Sequence, residues 1–251
     1  MTSQKTNRVV AIVEARMSSS RLPGKVLMEM SGKPVLGHIV DRLKRSKKVD
    51  DVCIATTLNP ACDALVDYCE SIGVSYFRGS EDDVLDRVLK AAYYAEADII
   101  VEICADCPVI DPEVIDELVE LYSHHKVDFV SNAIKRVHPL GLDAKVFSRD
   151  ALLQVANSTD DPNDREHVSL YFYENPEKFK LFHLKDDRFL DEIHYRLTLD
   201  TTDDFKMINA VYDALHQNNP KFGLQEVVDF LRENQQILEI NSFVKQKPVR
   251  A

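Results

Sequence analysis

The chain has 251 residues, 45% of them hydrophobic, and a formal net charge of −11. That length suits one large α/β domain with a buried core, and the acidic balance argues against nucleic acid as a partner, because a phosphate backbone calls for a basic face. No apolar run approaches the roughly 20 residues of a membrane span, the polar stretch 1–7 has no signal-peptide apolar core, and five cysteines, an odd number, fit reduced thiols of the cytoplasm rather than a disulfide framework.

The apolar run at 9–13 reads as a buried strand. It delivers the chain into a loop, 14–25, that holds Arg16, Arg21 and Lys25, the hydroxyls of Ser18, Ser19 and Ser20, and a Pro23-Gly24 turn. Ligands of open α/β sheets bind at the carboxyl ends of strands, and cations among small polar side chains suit a polyphosphate. A basic surface loop without a ligand is the plain alternative. The loop matches neither the dinucleotide G-x-G-x-x-G nor the G-x-x-x-x-G-K-[ST] P-loop. Pro34 opens a helix with Val35, Ile39 and Leu43 on one face. A strand follows at 51–56, then a helix capped by Asn59-Pro60, with Leu65, Cys69 and Ile72 inward and Gly73 as its stop. Residues 75–77 read as a short strand, 82–95 as a helix, 98–103 as a strand, and Pro112 starts a helix buried through Ile115, Leu118, Val119 and Tyr122. Such alternation means α/β architecture, a mostly parallel sheet with helices on both faces.

The second half is less regular. Strands are expected at 127–131, 144–147, 180–184 and 194–199, and helices at 151–157, 165–173, 203–216 and 224–233. No linker, repeat or low-complexity tract divides the chain, so 8–244 reads as a single domain between a disordered N-terminal tail (1–7) and a frayed C-terminal tail (245–251).

Three constellations carry a family resemblance. The loop EARMSSSRLPGKVL resembles the ARxGSxRLPGKxL signature of bacterial sugar-activating cytidylyltransferases. It is closest to the spore-coat polysaccharide biosynthesis F-type branch, relatives of the CMP-KDO and CMP-sialate synthetases. Glu14 stands where that branch has Gln, which alters contacts to base or ribose, and Ser18 where it has Gly, which stiffens the phosphate loop. The segment ICADCPVIDP (103–112) resembles GDxPLIDP, with Ala105 for Gly. Asp106 follows a buried strand, so its carboxylate emerges at the same sheet edge as the loop, and a hard oxygen ligand beside a phosphate cradle suits Mg²⁺. The competing reading makes Asp106 a turn cap, as Asp111 caps the helix begun by Pro112. Cys104 and Cys107 flank that aspartate as C-x-x-C, but a lone pair supplies only half a zinc site. The segment RLTLDTTDDF (196–205) resembles RLTVDTPEDF. Thr201 or Thr202 can cap a helix there, with Asp203 and Asp204 near its positive end, whereas Asp200 sits at a strand end.

Further matches are RGSEDDVLDR (78–87), DREHV (164–168, against EREHV) and HPLGLDAK (138–145, against YPRGLDVE). Ser80 also serves as an N-cap, and His167 fits a core or surface helix histidine equally. The resemblance implies a nucleotide-diphosphosugar-transferase-like, Rossmann-like fold and a CTP-dependent cytidylyltransferase acting on a sugar acid, phosphate or phosphonate. Arg16, Lys25, Asp106 and Asp200 would be catalytic. Ala15, Arg16, Ser19, Arg21, Lys25, Gly79, Ser80 and Asp106 would bind the nucleotide, and Asp106 with Asp200 would hold Mg²⁺. Gly141, Asp143, Arg165, Glu166 and His167 would line the acceptor site, and a homodimer is implied. Leu140 removes a cation and Lys145 replaces an acid, so acceptor contacts are expected to differ from the branch; Lys135, Arg136 or Lys145 is the candidate to compensate for the missing charge. Two rival functions remain: a glycosyltransferase, whose D-x-D is missing from the expected strand end, and a non-catalytic nucleotide-binding protein.

Overall fold

The computed structural model describes residues 7–247; the expected disorder at 1–6 and fraying at 248–251 lie outside the described residues. The strands are β1 (Val9–Glu14), β2 (Glu29–Met30), β3 (Lys33–Pro34), β4 (Asp51–Thr57), β5 (Ser75–Gly79), β6 (Ile99–Cys104), β7 (Phe129–Ser131), β8 (Lys145–Ser148) and β9 (Leu181–His183). The helices are α1 (Val35–Leu43), α2 (Asp63–Ser71), α3 (Val84–Tyr94), α4 (Pro112–His124), α5 (Arg149–Ala156), α6 (Pro162–Glu166), α7 (Leu170–Glu174), α8 (Thr202–Leu215), α9 (Leu224–Glu233) and α10 (Gln235–Leu238). Seven strands form one sheet in the order β5-β4-β1-β6-β8-β7-β9, and β2 with β3 makes a separate hairpin. Pairing is parallel from β5 to β6 and between β7 and β9; β8 alone runs against its neighbours.

The central strand explains the layering. Val9, Ala11 and Val13 pack on one face with α1, α2, α4, α8 and α9; Val10 and Ile12 pack on the other with α3, α5 and Phe172 of α7. A strand covered on both faces must be apolar throughout, and β1 is until Glu14. Polar residues then appear where the strands end: Glu14 pairs in register with Ala55 and Cys104, and Thr57 with Gly79. The basic loop and Asp106 leave the sheet at this carboxyl edge. No helix among the described residues is long and apolar enough to cross a membrane.

Two expected elements are corrected. Residues 194–199 are not a sheet strand. They form one isolated bridge, Leu140 to Arg196, and spend their backbone groups on loops: Leu140 N donates to Tyr195 O (3.0 Å), Leu197 N to Leu140 O (2.7 Å) and Leu199 N to Asp106 O (2.8 Å). The expected helix at 165–173 is two short helices, α6 and α7, broken at 167–169, where His167 leaves the helical region (φ −112°, ψ 54°). Near the C-terminal end, Gln246 Oε1 accepts a bond from Arg196 (2.6 Å).

Candidate active site

The basic loop is folded back on itself. Ala15 prolongs β1 by donating its N–H to Ala55 O (3.2 Å), and Gly24 N donates to Met17 O (3.0 Å). Gly24 stands at φ +72°, in the left-handed region that glycine enters without penalty. The turn feeds a short 3₁₀ turn, Lys25–Leu27, which buries Lys25 until it is only 9% exposed. Its ammonium donates to Leu199 O (2.6 Å), Asp200 Oδ1 (3.1 Å) and Asp106 Oδ2 (3.2 Å). Three segments far apart in sequence therefore meet on one nitrogen.

Asp200 is fixed from several sides. Arg21 reaches Oδ1 (2.9 Å) and Arg196 reaches Oδ2 (2.9 Å). Arg196 is held in turn by Asp204 (2.8 Å), which also forms the capping box of α8 with Thr201 and accepts from Asn241 (2.8 Å). Burial opposes the charge on Lys25, but the carboxylates of Asp106 and Asp200 outweigh it and hold its pKa above the ordinary lysine value. Burial likewise works against the Asp200 carboxylate; Lys25 first, then Arg21 and Arg196, hold it below its usual range. Two oxygen donors that already share one cation suit a hard divalent ion as well. The ammonium of Lys25 lies on the same oxygens such an ion would use.

At the other end of the loop, Arg16 pairs with Glu81 (3.4 Å), and the Ser18 hydroxyl donates to the same carboxylate. Burial works against the charge on Glu81, and the Ser18 bond leads the groups that hold its pKa below the usual value. Ser19 is half-buried on this loop. Gly79, buried, ends β5, and Ser80 Oγ accepts from Asp83 N (3.0 Å) at the entry to α3. Both sit at the carboxyl edge, on the Glu81 side.

A cavity of about 360 Å³ opens beside the loop. Asp143, Glu166 and His167 line it, together with Glu14, Glu102 and Lys145. Asp143 is held by Arg136 through two bonds (2.6 and 3.0 Å). Two residues expected in an acceptor site do not line this cavity. Arg165 pairs with Asp83 (3.0 Å) and donates to Ala156 O (3.1 Å), tying α6 to α3. Gly141, at φ +104°, lies against the backbone of Leu197, where a Cβ would stand 2.5 Å from its carbonyl carbon. Leu140 is outside the lining too, whereas Lys145 is in it, paired with Glu102 (2.8 Å). Burial, with Glu102 next, pushes the Glu14 carboxyl up to about 8. The thiols of Cys104 and Cys107 are held protonated by burial and the nearby carboxylates.

The sequence reading passed over Glu81, Glu102 and Arg196 as site residues. Glu81 and Arg196 lay inside quoted motifs. Glu102 carried its own signal, a lone charge in an otherwise apolar strand.

A family model described as cytidylyltransferase matches residues 10–239. An uncharacterized protein of Methanocaldococcus jannaschii is 40% identical over 97% of this chain and 98% of its own. The spore coat polysaccharide biosynthesis protein SpsF of Bacillus subtilis is 31% identical over 91% and 95%. A 3-deoxy-manno-octulosonate cytidylyltransferase of Geobacter metallireducens is 30% identical over 66% and 74%. Among solved structures, a cytidylyltransferase from Leptospira borgpetersenii superposes with a TM-score of 0.88 at 31% identity, covering 97% of this chain and all of that one. A CMP:2-keto-3-deoxy-manno-octonic acid synthetase complexed with CTP shares the fold, with a TM-score of 0.63 at 18% identity over 82% and 99%.

Proposed function

The chain belongs to the cytidylyltransferase family and is a nucleotidyltransferase, and from that premise we propose that it activates an acceptor with CTP, releasing pyrophosphate, in surface polysaccharide or related biosynthesis. The acceptor is a sugar acid, a phosphate or a phosphonate. One observation carries the assignment: Asp106 and Asp200 converge on Lys25 at the carboxyl edge of the sheet, beside a loop whose cations face the same edge.

An acceptor oxygen attacks the α-phosphorus of CTP, the bond to the bridging oxygen breaks, and pyrophosphate leaves with that electron pair. Such a transfer asks the protein for alignment and charge neutralisation more than for covalent chemistry. Arg16, Arg21 and Lys25 offer donors to the triphosphate and offset charge growing on the leaving group. Gly79 and Ser80 border the nucleotide, and the cavity lined by Asp143, Glu166 and His167 takes the acceptor. Asp106 and Asp200 would hold a divalent ion, Mg²⁺ in this reading, which when bound neutralises phosphate charge. The cytoplasm and a homodimer belong to the same reading; sedimentation of the purified chain checks the second.

The test is pyrophosphate release with each of the four nucleoside triphosphates against sugar acids, phosphates and phosphonates. Release with CTP alone, dependent on the acceptor, is expected. Equal release with UTP or GTP, or none with any acceptor, rejects the assignment.

A further inference from the structure

We propose that the segment after α10 serves the active site: Asn241 and Gln246 are positioning residues that hold Arg196, and Arg196 in turn keeps Asp200 Oδ1 turned toward the basic loop. The inference rests on reading Asp200 as a ligand of the divalent ion. The two oxygens of Asp200 have different duties. Oδ1 takes Arg21 (2.9 Å) and Lys25 (3.1 Å) from the loop, whereas Oδ2 takes Arg196 (2.9 Å) and, among the described residues, nothing else. The last torsion of an aspartate is broad and roughly two-fold, so nothing in Asp200 itself keeps Oδ1 on the site. In the proposed reaction Lys25 and Arg21 serve the triphosphate, and Arg196 is then the cation left to hold the carboxylate plane.

Arg196 can fix that plane because its own plane is fixed. Its Nε and Nη2 donate to Asp204 (2.8 and 3.2 Å), and its Nη1 donates to Gln246 Oε1 (2.6 Å). A planar guanidinium held on two edges keeps one orientation. Asp204 is wholly buried and is filled in turn by the N–H groups of Asp200 (3.0 Å) and Thr201 (2.9 Å) and by Asn241 Nδ2 (2.8 Å). Asn241 is 1% exposed, and the same Nδ2 donates to Arg196 O (2.9 Å). One amide thus ties the backbone of Arg196 to the carboxylate that carries its side chain.

Two observations set these contacts apart from ordinary packing. Asn241 Oδ1 is buried with no hydrogen-bond partner, a cost that an apolar side chain of the same shape would avoid, so the two donated bonds are what the position gains from an amide. Between 242 and 247 every residue but the half-buried Val244 is exposed, so apolar burial does not explain why this stretch runs back to Arg196. Both residues also lie beyond the span 10–239 that the family model matches. Partners that hydrogen-bond a ligating carboxylate orient it and tune its grip on the metal.

The experiment compares the wild type with Gln246→Leu, Gln246→Glu and the buried variants Asn241→Leu and Arg196→Lys. Mn²⁺ binding is measured by calorimetry, CTP binding in the presence of a chelator, and pyrophosphate release as a function of Mg²⁺ concentration. Gln246→Leu should weaken Mn²⁺ binding and raise the half-saturating Mg²⁺ concentration by about fivefold, the weight of one ordinary hydrogen bond. Gln246→Glu keeps the acceptor atom and should behave as the wild type. Asn241→Leu and Arg196→Lys should reach about tenfold or more. CTP binding with chelator should stay unchanged throughout, and excess Mg²⁺ should restore turnover, which it cannot do for a folding defect. Gln246 is exposed, so its two variants carry the test even where the buried ones lower the melting temperature. Unchanged Mn²⁺ affinity in Gln246→Leu, or lost turnover that excess Mg²⁺ does not restore, overturns the proposal. A wild type that binds no Mn²⁺ removes it together with the metal role of Asp200, while pyrophosphate release from CTP would leave the cytidylyl reading standing. No release with any acceptor removes that reading without altering the Mn²⁺ comparison.

Discussion

At the scale of single residues, Lys25 changes character between sequence and structure. A cation in a Ser-rich loop reads as solvent-facing, its loss purely functional; instead Lys25 is buried on two carboxylates. Lys25→Ala should therefore weaken CTP binding and also destabilise the fold. The roughly 3–5 kcal/mol cost of breaking a buried pair is an upper bound, because Arg21 and Arg196 still face Asp200. Urea unfolding with and without millimolar Mg²⁺ checks it: the ion should restore part of the loss by taking over the same oxygens, and unchanged stability would show that Lys25 is not holding them. Glu14 gives a pH prediction of unusual sign. Its folded pKa is about 8 against an ordinary 4.5, so between those values the folded state binds the extra proton. Stability is then full below about 4.5 and falls as pH rises towards 8. Glu14→Gln should flatten this part of a plot of melting temperature against pH; an unaltered slope assigns the decline to other groups.

At the scale of elements, local pattern was a good guide where burial repeats regularly and a poor one where tertiary contacts decide. The apolar run of β1 and the four-residue spacing in α1 announced both, because one buried face imposes its period on the sequence. The break between α6 and α7 left no such mark: the helical pattern continues through 167–169 while the backbone does not. Residues 194–199 have strand composition, yet their partners are Leu140 and Asp106 rather than a strand. The substitution pattern at Leu140 and Lys145 is likewise resolved by position. Leu140 is engaged through its backbone away from the cavity, and Lys145 answers Glu102 across the β6–β8 ladder. Opposite charges directly across a ladder stabilise and like charges repel. Lys145→Glu should therefore cost about 3–5 kcal/mol, the range for an uncompensated buried charge. Glu102→Lys combined with Lys145→Glu should recover most of it in urea unfolding. A double variant no more stable than the single would mean that the pair contributes through packing rather than charge.

At the scale of the whole molecule, the parallel sheet and the carboxyl-edge site were legible because alternation of strands and helices fixes where loops emerge. What composition did not show is how the cations of the basic loop are occupied. In a chain of net charge −11, Arg16 is paired with Glu81, Arg21 with Asp200, and Lys25 with both Asp106 and Asp200. In the proposed function a triphosphate must take these side chains from carboxylates, which leaves Asp106 unpaired and Asp200 with Arg196 alone, and such a loss of partners in a buried site is costly. A divalent ion that takes those carboxylates frees the loop for phosphate. Nucleotide and ion should then bind with positive coupling, each raising the affinity of the other by the same factor, as linkage requires. Calorimetry of CTP binding with Mg²⁺ and with a chelator should differ by about tenfold or more, within the usual range of such coupling. Asp106→Asn and Asp200→Asn remove charge but keep shape, so each should abolish most of the coupling and slow turnover on the order of 10²-fold. Because metal-bound CTP could itself bind better than free CTP, the variants decide the origin. Coupling that persists in both belongs to the nucleotide complex, and coupling lost in both belongs to the carboxylates that hold Lys25.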